Sequence, residues 1–158
     1  MTRRFGRCLG GARIHEGTLE GNWQIVTILG AMSTRGMIAT MTVAAATDTD
    51  IFLDYLDHFL CPALVSGDVV VMDNLSSHKV DGVRQRIEAA GADLLYLPPY
   101  SPDMNPIEKA WAKLKQLLRT AKARTQQALD QAITEALREI SAENAQAWFR
   151  LTLKWVQL

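Results

Sequence analysis

The chain has 158 residues, 48% of them hydrophobic, and its 17 Lys and Arg balance 17 Asp and Glu. That size and composition suit one globular domain with a substantial core, and no run approaches the roughly 20 apolar residues that a bilayer-spanning helix needs. The first residues, "MTRRFGRCLGG", lack the apolar centre of a signal peptide, and two cysteines, Cys8 and Cys61, fit a reduced cytoplasmic protein rather than a disulfide scaffold.

Residues 1–21 are rich in glycine and arginine, with Arg3, Arg4, Arg7 and Arg13 preceding the first acid, Glu16. Residues 23–32 ("WQIVTILGAM") and 37–46 ("MIATMTVAAA") read as two strands joined by the hairpin turn "STRG". "TDTD" offers N-caps, and Phe52, Tyr55, Leu56 and Phe59 then recur at helical spacing until Pro62, which should end or bend the helix. His58 and Cys61 resemble half a metal site, but no second pair has matching spacing, so helix packing explains them.

"SGD" is a loop, and "VVVM" is a short, wholly apolar strand of the kind covered on both faces of a sheet. Residues 80–90 read as a helix stopped by Gly91, and "DLLYL" is the next strand; strand–helix–strand predicts a right-handed parallel unit. Four of the five prolines, Pro98, Pro99, Pro102 and Pro106, then fall in "PPYSPDMNP", a stiff connection because each proline fixes φ and extends its predecessor. Asn105 suits the cap of the following helix and Pro106 its first position, and Ile107, Trp111, Leu114 and Leu118 make one apolar face. Residues 125–140 and 141–153 read as two further helices.

Charge is laid out unevenly despite the zero total. Asp48, Asp50, Asp54 and Asp57 form an acidic middle, whereas every charge between Glu108 and Asp130 is positive: Lys109, Lys113, Lys115, Arg119, Lys122 and Arg124. Such a run is compatible with a solvated helix face and with a polyanion partner.

Two carboxylates stand out by position. Asp73 ends the apolar strand in "VVVMDNLSSHK", at the carboxyl end where open α/β sheets place ligands. Glu108 lies in the first turn of a helix delivered by the proline segment, where the helix dipole favours the ionised form that a hard cation requires. If the two strands end side by side, the carboxylates can share Mg²⁺. Each residue alone has a plainer reading: Asp73 as a turn residue, Glu108 as partner of Asn105 in a capping box, His78 as a packing histidine.

Taken together, these segments resemble the DDE transposases of the mariner-like superfamily, particularly the bacterial insertion-sequence branch. "VVVMDNLSSHK" resembles the family's second-aspartate segment and "LLYLPPYSPDMNPIEKAWAKLK" its glutamate segment; the 34 residues between Asp73 and Glu108 match the family's spacing, and "GNWQIVTILGAMSTRGMIA" resembles its central hairpin. The resemblance spans residues 21–119 and implies a ribonuclease-H-like mixed α/β sheet flanked by helices. It implies an endonuclease that cuts and rejoins DNA with two Mg²⁺ or Mn²⁺ ions, acting on transposon terminal repeats and target DNA in the bacterial cytoplasm, with Asp73 and Glu108 as the second and third metal ligands. Asn74, His78 and Asn105 match recurrent positions that shape the site, and the six cations after Glu108 would meet DNA.

The sequence departs from the family at its start. The first catalytic aspartate would lie on a strand before the arginine-rich segment, yet no Asp precedes Asp48, and Glu16 and Glu20 lie in the approach to the hairpin, so neither is assigned its role. The family's helix-turn-helix region is absent as well. One domain is therefore expected, an entry segment (1–21), a core (22–119) and terminal helices (120–158), as the carboxyl-terminal piece of a transposase. It is expected to lack the central strand that joins the hairpin to the Asp73 strand, and to need an upstream segment or further copies to work. Two other readings compete: a non-catalytic DNA-binding or oligomerising remnant, and a Mg²⁺-dependent phosphohydrolase built on Asp73. The latter would want a second Asp nearby, and "DNLSS" supplies none.

Overall fold

A computed structural model describes residues 25–153. The expectations placed on Arg3, Arg4, Arg7, Arg13, Glu16 and Glu20, and on the start of the first strand, lie outside the described residues. The first two strands, β1 (Thr27–Ser33) and β2 (Gly36–Val43), form an antiparallel hairpin with an irregular register between Ala31 and Met32. Gly36, at φ +107°, holds the turn in a conformation that L side chains disfavour. β2 is shorter than its sequence pattern, because residues 44–46 leave the ladder.

Asp48 caps α1 (Thr49–Tyr55) as its position predicts, its carboxylate accepting from Ile51 N at 2.9 Å. The helical run then widens to a π turn over Leu56–Leu60 and tightens to a 3₁₀ turn over Cys61–Ala63. Pro62 accounts for this: it has no N–H to donate, and its ring crowds the preceding turn.

The strand β3 (Val69–Met72), the helix α2 (Val83–Ala89) and the strand β4 (Asp93–Tyr96) form the expected parallel unit. α2 begins later than its sequence pattern because a 3₁₀ turn, Ser76–Lys79, and Gly82 at φ +91° precede it. Three helices follow: α3 (Ile107–Ala121), α4 (Gln126–Arg138) and α5 (Ala142–Leu153). Thr125 Oγ1 caps α4 by accepting from Ala128 N at 3.1 Å.

Among the described residues the strands make two separate two-stranded sheets, β1–β2 and β3–β4. One core joins Phe52, Tyr55, Leu56 and Leu60 to Ala39 of β2 and to Met72, Val83, Ile87 and Leu94 of the parallel unit. A second core joins Leu114 and Leu118 of α3 to Ala132, Ile133 and Ala136 of α4, with Val26 and Ile28 against it. The hairpin therefore has helices on both faces. The parallel pair does not: Val69, Val71 and Leu95 are 56%, 44% and 55% exposed. The expectation that "VVVM" is covered on both faces fails among the described residues, because Val70 and Met72 pack against the core whereas nothing covers the face that carries Val69 and Val71.

Candidate active site

Asp73 follows directly on β3. Its Oδ1 accepts from Leu75 N at 3.0 Å, closing a turn over its own backbone, and lies 2.7 Å from His78 Nδ1. The plain turn role and the site role are thus compatible, since the turn leaves Oδ2 without a hydrogen bond among the described residues. Asp73 stays half exposed while His78 is largely buried. The imidazole lies 4.6 Å, ring centre to ring centre, from Phe52 of α1 at a tilt of 34°, and the His78 backbone carbonyl accepts from Tyr96 Oη at 2.6 Å. His78 is packed and also braces Asp73.

Asn74 reaches the other way. Its amide donates to the carbonyl of Leu97, the residue that leaves β4, and Leu97 N donates back to Met72 O at 2.8 Å. The turn carrying Asp73 is therefore stitched to the point where the proline segment departs. That segment includes a 3₁₀ turn, Pro102–Met104, and ends at α3, whose first turn carries the exposed Glu108. The cap differs in detail from the sequence expectation. Pro106 occupies the cap position, and the turn is closed by backbone bonds, Glu108 N to Asn105 O at 3.2 Å and Lys109 N to Pro106 O at 3.1 Å. The Asn105 side chain makes no capping bond among the described residues, so the proposed capping box with Glu108 is not formed.

The cations beyond Glu108 do not act as one group. At 3.6 residues per turn, Lys115 and Arg119 fall on the Glu108 face about two and three turns later, and both are exposed. Lys109 points about 100° away. Lys113, about 140° away, is committed elsewhere: its ammonium donates to the carbonyl of Glu139 at the end of α4 and to Asn144 Oδ1 at 2.6 Å. A cation closing a helix C-terminus meets the negative end of the helix dipole. Helical phase could have separated Lys113 from the others, but the partner was not legible in sequence. Lys122 ends α3 in the left-handed region at φ +50°, and Arg124 lies in the exposed link to α4.

The donors suit a hard divalent cation in kind. Two carboxylates supply oxygen, one free to turn its second oxygen outward, the other at the positive end of a helix. They fall short in number: the described residues hold no group of three or more His, Cys, Asp or Glu placed to bind a metal. A cleft of about 930 Å³ between the hairpin and α4, lined by Arg35, Thr40, Thr42, Asp130 and Arg138 among others, includes neither carboxylate. No described helix is long and apolar enough to cross a membrane.

Comparison with known proteins bears on both segments. The DDE superfamily endonuclease profile matches residues 1–130, which contain Asp73 and Glu108. No curated protein matches the sequence. Solved structures do: the Mos1 transposase paired-end complex with left transposon end, at 16% identity and TM-score 0.77 over 99% of this chain. The Mos1 strand transfer complex matches at 16% and 0.75, and the Mos1 mariner paired-end complex with Mn at 15% and 0.75, each over 99% of this chain. The chain spans about half the length of these structures' chains, 48–49%. It shares their ribonuclease-H-like fold.

Proposed function

The chain belongs to the DDE superfamily endonucleases, and on that premise we propose that it is the catalytic-domain portion of a mariner-like DNA transposase of the bacterial insertion-sequence branch. The reaction is cleavage of DNA at transposon terminal repeats and transfer of the freed 3′ end into target DNA, in the cytoplasm and by an assembly of more than one copy. The observation that carries this reading is the stitch between the Asp73 turn and the exit of β4, which couples one carboxylate to the segment delivering the other.

Asp73 and Glu108 would hold the metal, Mg²⁺ or Mn²⁺. When bound there, divalent ions polarise the scissile phosphate and activate a water or 3′-hydroxyl. Leu75 N fixes the direction of the Asp73 carboxylate, with His78 packed beside it; Asn74 fixes the turn that bears it. Lys115 and Arg119, on the Glu108 face, meet backbone phosphates leading away from the cut. The missing donor comes from a strand upstream of the hairpin, between β1 and β3. The outer edge of β3, unpaired among the described residues, and the separation there of the two sheets support this.

The test is cleavage of terminal-repeat DNA with Mg²⁺ or Mn²⁺. The 158-residue chain should cut little or not at all, because without the third carboxylate the attacking oxygen and phosphate are not held in line, and errors of about 1 Å cost on the order of 10²-fold. Restoring an upstream strand that ends in Asp should restore cutting, and Asp73→Ala and Glu108→Ala should each abolish it. Salt-sensitive DNA binding that never becomes cleavage in the extended protein would favour the non-catalytic remnant. Robust cutting by the short chain, lost in Asp73→Ala, would mean that a carboxylate such as Glu16 or Asp48 fills the vacant role.

A further inference from the structure

The position of Glu108 has a second determinant besides the proline segment. Gly30 lies in the middle of β1, paired with Thr40. A Cβ built on it would stand 2.9 Å from Cη2 of Trp111 and 2.8 Å from Cε of Met37. The indole edge therefore rests directly on the strand, in a space that only glycine leaves open. Trp111 is one turn beyond Glu108 on α3, and on another side of the same helix Lys113 is latched to the α4–α5 corner. The two contacts hold the first half of α3 from two directions.

The hairpin is also coupled to the other carboxylate. Across the strand pair, Ala31 faces Ala39, whose carbonyl accepts from Tyr55 Oη at 3.3 Å. Tyr55 lies 6.1 Å, ring to ring, from Phe52, Phe52 packs at a tilt against His78, and His78 lies 2.7 Å from Asp73. A series of neighbours thus runs from the first turns of α3 through Trp111 and Gly30 across the hairpin to α1 and Asp73. It passes through the buried rings of Phe52 and Tyr55, the partly buried rings of Trp111 and His78, and strand backbone, and packed interiors yield little to displacement.

We infer that the Trp111–Gly30 contact is a positioning device that sets Glu108 against Asp73, with the hairpin as the spacer between them. The inference rests on those two carboxylates forming the metal site. Gly30→Ala should push the indole off the strand and shift the first turn of α3. Partners outside the ligand shell commonly alter metal affinity by about 10–100-fold, so Mn²⁺ binding to the full chain, measured by calorimetry with the metal alone, should weaken at least about tenfold.

Two further variants separate misplacement from simple destabilisation. Gly30→Ala combined with Trp111→Phe removes the obstructing ring edge and should regain most of the affinity. Leu118→Ala weakens the packing of α3 three turns away and should leave Mn²⁺ affinity within about twofold while lowering the melting temperature. Wild-type Mn²⁺ affinity in Gly30→Ala, or an equal loss in Leu118→Ala, would overturn the positioning role alone. No Mn²⁺ binding by the wild-type chain, or binding unchanged in both Asp73→Ala and Glu108→Ala, would overturn the site itself and this inference with it.

Discussion

Individual residues carry two roles that their types do not reveal. Lys113 belongs by sequence to a basic run, yet its ammonium closes the end of α4. Lys113→Gln should therefore cost about 2 kcal/mol of stability, the scale of hydrogen bonds to a charged group, and leave the salt dependence of DNA binding unchanged. Lys115→Gln and Arg119→Gln should do the reverse, each lowering the slope of log affinity against log salt by about 1 with little change in melting temperature. Equal slopes in all three variants would remove the distinction. Tyr55 gives a pH signature. Burial, followed by the nearby Cys61, pushes its phenol well above the ordinary 10.0, so it remains a protonated donor to Ala39 O. The folded state thus holds this proton more tightly than the unfolded state. Its contribution is complete below about pH 10 and is lost as pH rises from there. Cys61, raised by burial and then by Asp57 against an opposing Arg86, acts with the same sign from about pH 9. Denaturant melts should show falling stability above pH 9–10, and Tyr55→Phe should flatten the decline while costing about 1 kcal/mol at neutral pH.

At the scale of elements, β3 has one paired edge among the described residues. Asp68 O and Met72 O accept from Asp93 N and Leu97 N, so by the alternation of a parallel ladder residues 68, 70 and 72 face β4 and Val69 and Val71 face away. In hydrogen exchange of the 158-residue chain, the amides of Val69 and Val71 should exchange much faster than those of Val70 and Met72. Supplying the upstream strand should slow them. Side chains follow the same asymmetry: Leu94→Ala should cost about 2–5 kcal/mol, whereas Val71→Thr should stay within about 0.5 kcal/mol. Slow exchange at Val71 in the short chain would mean that this edge is already paired.

On the whole-molecule scale, the two sheets belong to one fold but communicate through helices. Among the described residues the hairpin reaches the parallel unit through Tyr55, Phe52 and His78 rather than through a shared strand. An apolar edge such as that of β3, unpaired among the described residues, invites pairing with other chains. The short chain should therefore show concentration-dependent association, and Val71→Lys should suppress it without lowering the melting temperature; a monomer at every concentration by light scattering would argue against this.

The sequence by itself determined the local elements and the family. Period-two and period-3.6 patterns, together with glycine and proline at their boundaries, encode strands, helices and turns within a few residues of chain. The proline segment and the spacing of Asp73 and Glu108 resemble those of the DDE superfamily, and the family match over residues 1–130 covers both segments. Tertiary structure decided what depends on partners far away in sequence. It showed that Asn74 binds Leu97, that His78 braces Asp73 while packing on Phe52, that Lys113 faces α4, and that Gly30 receives Trp111. Among the described residues it also left the side chains of Val69 and Val71 exposed, which hydropathy misread, since an apolar run looks the same whether or not its second face is covered. Sequence patterns record which surface a segment prefers to bury; the contact that satisfies the preference exists only once the chain has folded.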